Sequence, residues 1–149
     1  MSSLPINMVR QGIPSRSAMA VASLRAAHQL LDEPLVHPDP IALPLLGAPA
    51  QAALRDDPFR LNDPLSRGLR AALVVRSRFV EDELSRCVAA GVRQYVILGA
   101  GLDTFAYRNP YCDEGLRVLE VDHPGTQRWK QQLLAEAGID VPPSLAFVA

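Results

Sequence analysis

A chain of 149 residues, 48% of them hydrophobic, can bury the core of one ordinary domain, which excludes a disordered or fibrous chain. Fifteen Lys and Arg against sixteen Asp and Glu leave a net charge of -1, without the broad positive field that a phosphate-backbone partner needs. No apolar run approaches the roughly 18 residues that span a bilayer, and Cys87 and Cys112 form neither a disulfide framework nor a paired metal-ligand spacing, so the expected setting is the reducing cytoplasm, without membrane, nucleic acid or metal.

Residues 1–14 carry Pro5, Gly12 and Pro14 with no apolar period and read as a flexible arm. From Ser15 onward Ala18, Val21, Ala22, Leu24, Ala26, Leu30 and Leu31 fit a helix capped by Ser15 or Ser17. Pro34, Pro38 and Pro40 break it. Asp39 before Pro40 is a cap followed by a first-turn proline, which predicts a short helix from Pro40 to Leu46, and a second short helix is expected around Pro49 to Arg55. Asp63-Pro64 repeats the cap signal and opens a long helix from Pro64 to Ala90, with Leu65, Leu69, Leu73, Val80, Leu84 and Val88 as its apolar stripe. Residues 15–90 are therefore expected to form a helical front segment, or lid.

After Gly91 the period changes. Gln94-Tyr95-Val96-Ile97-Leu98 and Arg117 to Val121 read as buried parallel strands, with Asp103 to Arg108 starting a helix between them. Pro124 to Ala137 is a helix stopped by Gly138, and Leu145 to Ala149 is a third strand. Strand, helix, strand, helix, strand is the opening of a doubly wound α/β sheet. The chain ends inside its third strand, so residues 91–149 are expected to be the first part of a truncated α/β domain. Its open sheet edge favours self-association.

Gly99-Ala100-Gly101 stands where a strand gives way to a helix, where the backbone must turn tightly and let a ligand approach. Glu120 and Asp122 close the next strand about 20 residues on, the spacing at which a carboxylate reaches a ribose diol. Together they point to an adenosine-containing cofactor. A dinucleotide fingerprint needs a third glycine where this chain has Thr104, and the anion Asp103 repels phosphate but not a sulfonium, so S-adenosylmethionine is favoured over NAD. Asp122 could instead cap the helix that begins at Pro124.

Arg76-Ser77-Arg78-Phe79 with Asp82, Val96 to Thr104 with Tyr107-Arg108, and Glu120-Val121-Asp122-His123-Pro124 with Lys130 resemble the leucine carboxyl methyltransferase-like family of class I S-adenosylmethionine-dependent methyltransferases, including its bacterial O-methyltransferase branch. Ser17-Ala18 to Arg25-Ala26 and Asp39-Pro40-Ile41-Ala42 resemble its helical front. The resemblance implies the N-terminal half of a Rossmann-like sheet and methyl transfer from the sulfonium to an oxygen or carboxylate of a small-molecule or carboxylate-bearing acceptor. It implies that Gly99 and Gly101 line the methionine part, Asp122 binds the ribose with Glu120 as the alternative carboxylate, and Arg76 holds the cofactor carboxylate, with Arg78 and Arg25 as secondary candidates.

This chain departs from the family at Phe105, where many relatives have arginine, and in length. No triad is expected, because holding donor and acceptor in line does most of the chemistry. The competing expectations are an inactive fragment and an NAD-binding oxidoreductase. For Arg76 and Arg78 the structural alternative is surface pairing with Glu81, Asp82 and Glu83. His28, His37 and His123 share no metal spacing, while Trp129, Leu133, Tyr107 and Tyr111 are expected to pack.

Overall fold

Ser15 opens the first helix by accepting a hydrogen bond from Ala18 N at 3.2 Å, and α1 runs Arg16–Leu31. This is a computed structural model and it describes residues 15–149; the expected arm at residues 1–14 lies outside the described residues. After α1 come α2 (Ala48–Asp56), α3 (Pro64–Ala89), β1 (Gln94–Leu98), β2 (Arg117–Val121), α4 (Pro124–Glu136) and β3 (Leu145–Val148). Asp63 caps α3 as expected, accepting from Leu65 N and Ser66 N.

Two expected helices are shorter than predicted. Between Pro40 and Leu46 the chain makes a turn and then a single 3-10 turn, Pro44–Leu46. Pro44 has no N–H to return to the carbonyl of residue 40, so the ladder cannot propagate. The segment from Asp103 to Arg108 contains only the 3-10 turn Phe105–Tyr107, ahead of Asn109-Pro110, where the residue before proline disfavours helix.

The apolar stripe of α3 also needs correction. Leu65, Leu69 and Val80 are exposed, and the buried residues are Arg70, Val74, Leu84 and Val88. Arg70 turns inward because Asp32 at the end of α1 accepts from its Nε at 2.8 Å and its Nη2 at 3.0 Å, while Leu61 O accepts from Nη1 at 2.7 Å. A bidentate ion pair, rather than leucines, sets which side of the first half of α3 meets α1.

The sheet is parallel in the order β1-β2-β3, an α/β arrangement in keeping with part of a Rossmann-like methyltransferase fold. Register pairs Tyr95 with Val118 and Ile97 with Glu120, so these four side chains share one face. Leu84 and Val88 of α3 pack there against Val118, Tyr95 and Ile97. On the other face Val96, Leu98 and Val148 are exposed, Leu98 at 78%. No helix among the described residues is long and apolar enough to cross a membrane.

Candidate functional site

β1 ends at Leu98, and the next residues fold back over the end of β2: Gly99 N and Ala100 N both donate to Val121 O, at 2.8 and 3.2 Å. Gly99 and Gly101 have φ of 65° and 53°, the left-handed region where a Cβ is strained. Their surroundings differ. A Cβ on Gly99 would meet nothing within 4 Å, whereas one on Gly101 would stand 3.3 Å from the Ala18 Cβ of α1. Gly99 therefore faces open space, and Gly101 lets α1 pack close to the loop.

Open space beside Gly99 belongs to a cleft of about 510 Å³ between the glycine loop, α1 and α3, within the usual size range of small-molecule sites. Gly99, Gly101, Asp122 and Arg76 all line it, as do Arg25, Ser77 and Asp103. Asp122 is the acid that closes the wall below the loop. Its Oδ2 accepts from Gly101 N at 2.6 Å and its Oδ1 from His123 N at 2.6 Å. The cap of α4 is His123, whose Nδ1 accepts from Gly125 N at 3.0 Å, so the capping role considered for Asp122 falls to its neighbour.

Glu120 and Arg78 do not join this group. Both Glu120 oxygens accept from Lys130 Nζ, at 2.8 and 2.7 Å, and each side chain is 1% exposed. Burial pushes the Glu120 carboxyl above its ordinary range and the Lys130 ammonium below its own. A carboxylate clamped in this way is no substitute for Asp122 at the cleft. Arg78 makes an exposed i,i+4 pair with Asp82 at 2.9 Å, the surface alternative weighed for it. Arg25 lines the cleft, but its guanidinium is turned to Leu102 O and to the Asp39 carboxylate. Among the described residues no group of three or more His, Cys, Asp or Glu could hold a metal ion.

The sequence model of the leucine carboxyl methyltransferase family matches residues 18–149. This chain belongs to that family. A protein of Bacillus subtilis provisionally named as an S-adenosyl-L-methionine-dependent methyltransferase is 32% identical over 160 residues, covering 94% of this chain and 53% of its own length. Proteins with the same provisional naming from Parafrankia sp. and Mycolicibacterium smegmatis are each 39% identical, over 80% and 82% of this chain and 39% and 42% of their own lengths. This methyltransferase-family chain thus spans about half or less of the curated relatives it matches.

One cluster beside the cleft in this family member is not legible in the sequence. Asp39, which reads as a cap, is buried with Thr104, and a second cavity of about 160 Å³ that shares Arg25, Arg76, Ser77 and Asp103 with the cleft is also lined by His37, Glu81 and Arg108. His37 Nε2 and Glu81 Oε1 lie 2.9 Å apart, and Arg108 Nη1 donates to Glu81 Oε2 at 2.9 Å. Burial alone would raise the Glu81 carboxyl, but the Arg108 and His37 bonds outweigh it and bring it down to about 2. The Asp32 carboxyl is also lowered, chiefly by its hydrogen bonds from Arg70.

Both acids titrate lower in the folded than in the unfolded chain. The stability they confer is fully present above the unfolded carboxylate range and is lost as pH falls through the folded values. Their contribution to the melting temperature is expected to be level from about pH 7 to pH 5 and to fall from about pH 4 toward pH 2. Thermal melts across that range check it. Glu81→Gln should make the acid fall shallower, and an unchanged profile would remove Glu81 from the account.

Proposed function

We propose that this chain carries the cofactor-holding part of a methyltransferase that moves a methyl group from S-adenosylmethionine to an oxygen or carboxylate of a small-molecule acceptor. The observation that carries this reading is the convergence of Gly99, Gly101, Asp122 and Arg76 on one cleft. A second strand ending in an acid beside a glycine loop is the arrangement that receives an adenosine ribose. The family match and the naming of the relatives support it.

The residues present fit the cofactor. Gly99, with nothing within 4 Å of its would-be Cβ, leaves room for a ligand against the backbone. Asp122 offers a carboxylate for the ribose hydroxyls, and Arg76, exposed on α3 at the cleft wall, a cation for the methionine carboxylate. Asp103 also lines the cleft while its Oδ1 accepts from Phe105 N at 2.8 Å. Two carboxylates, Asp103 and Asp122, and two arginines, Arg25 and Arg76, line the cleft, a balance that suits a ligand carrying both a sulfonium and a carboxylate better than a pyrophosphate. When bound, S-adenosylmethionine supplies a methyl group made electrophilic by the sulfonium. The work of this chain is to hold and orient the donor.

NAD loses further ground on Thr104. Its side chain is buried and bonded to Asp39, so the position that a dinucleotide fold gives to a third glycine has another use here. We place the protein in the cytoplasm on the strength of Cys87 and Cys112, both exposed free thiols. Calorimetric titration of the chain with S-adenosylmethionine, S-adenosylhomocysteine and NAD tests the cofactor. Saturable binding of the first two and none of the third is expected, and the reverse pattern would overturn the reading.

A further inference from the structure

Asp39 is an acid with no exposed side-chain surface, on the turn that follows α1, outside the lining of the cleft. A buried carboxylate is costly unless it is paired and hydrogen-bonded, so its partners show what it is for. Oδ1 accepts from Ile41 N at 3.1 Å, and Oδ2 accepts from the Thr104 hydroxyl at 2.6 Å. Arg25 Nε lies 3.2 Å from Oδ2 and Arg108 Nε lies 3.6 Å from Oδ1. Gln29 of α1 pins the backbone by accepting from Asp39 N at 2.9 Å.

These partners grip the far side of the glycine loop. Thr104 is bonded to Asp39, and Leu102 O, one residue past Gly101, accepts from Arg25 Nη2. On the near side Gly101 N is held by Asp122. Two glycines with positive φ give the loop many alternative shapes when it is unpinned. From this geometry we infer that Asp39 and Thr104 are positioning residues: their hydrogen bond, with Arg25, holds the glycine loop in the one shape that leaves Gly99 open to the cleft and aims Asp122 at the ligand. The ligand in this inference rests on the reading of the cleft as an S-adenosylmethionine site. The loop-holding role does not.

Thr104→Val keeps the shape and removes the hydroxyl, and Thr104→Ser restores the hydroxyl. Amide hydrogen exchange of the ligand-free 149-residue chain reads the loop directly. In Thr104→Val the hydroxyl's bond to Asp39 is lost together with the longer bond it accepts from Arg108 Nε at 3.3 Å, and the amides of Gly101 and Asp103 should exchange about five- to tenfold faster, while those of β2 and α4 keep their protection. Thr104→Ser should return the loop to wild-type rates. Titration with S-adenosylhomocysteine should show a matching five- to tenfold loss of affinity for valine and recovery for serine.

Unchanged loop exchange in Thr104→Val would overturn the proposal. So would an equal acceleration across the sheet, which would make the bond a general support of the fold. If the valine variant does not fold, Thr104→Ala read against Thr104→Ser makes the same comparison. A wild-type chain that binds no S-adenosylhomocysteine, yet shows the loop-confined change, would sink the cofactor reading and leave the loop-holding role standing.

Discussion

Replacing Lys130 with methionine is expected to cost about 3–5 kcal/mol of stability, because it strands the Glu120 carboxylate in a site with 1% of its side chain exposed. Lys130 Nζ donates to both Glu120 oxygens and stands 5.0 Å from the centre of the Tyr107 ring, so the ammonium is held by a carboxylate and an aromatic face together. Raising the Glu120 pKa by burial lets a proton take up part of the loss, which sets the cost nearer the lower end. The double variant Lys130→Met with Glu120→Gln removes both charges and should recover much of the stability, since a buried ion pair replaced by neutral groups is often close to neutral in effect. Urea unfolding of the three proteins decides the matter. A lysine variant as stable as the wild type would show that Glu120 is not committed to Lys130, and would return it to the candidates for the cofactor.

That pair also marks where local sequence pattern stops being informative. The strands were legible because Gln94 to Leu98 and Arg117 to Val121 are short apolar runs bounded by glycine and turn residues. Helices α1, α3 and α4 were legible because Ser15, Asp63 and Pro124 mark their starts. Gly99, Gly101 and Asp122 were legible as a site because glycine loop and acid are set by the geometry of one β-turn-β unit, within about 20 residues. Asp39 was read only as a cap because its deciding partner, Thr104, is 65 residues away. Arg70 does not stand out beside Leu69 on α3, because an arginine reads as surface until the carboxylate at the end of another helix is placed beside it. In each of these cases the local rule is sound, and a polar partner brought from elsewhere in the chain, the Thr104 hydroxyl for Asp39 and the Asp32 carboxylate for Arg70, chooses between the options it allows.

Asp122→Ala is expected to weaken S-adenosylhomocysteine binding by about 1–3 kcal/mol, roughly five- to 150-fold, through two losses that can be separated. The carboxylate holds the loop by accepting from Gly101 N, and it faces the cleft where a ribose diol would donate to it. Alanine removes both of these and the bond from His123 N, so part of its cost belongs to the loop and the start of α4. Asp122→Asn keeps an oxygen for Gly101 N and gives up the charge and the oxygen that accepts from His123 N, so its loss, with the loop held, falls on the ligand and on that local bond. Calorimetry on the two variants should therefore place asparagine between wild type and alanine, with loop amide exchange near wild type in asparagine and faster in alanine. Wild-type affinity in both would take the ribose away from Asp122. Glu120 could not simply inherit it, since it is buried against Lys130 and outside the cleft lining, and Asp103 would become the carboxylate to test next, being on the cleft wall with one oxygen left unassigned by Phe105 N.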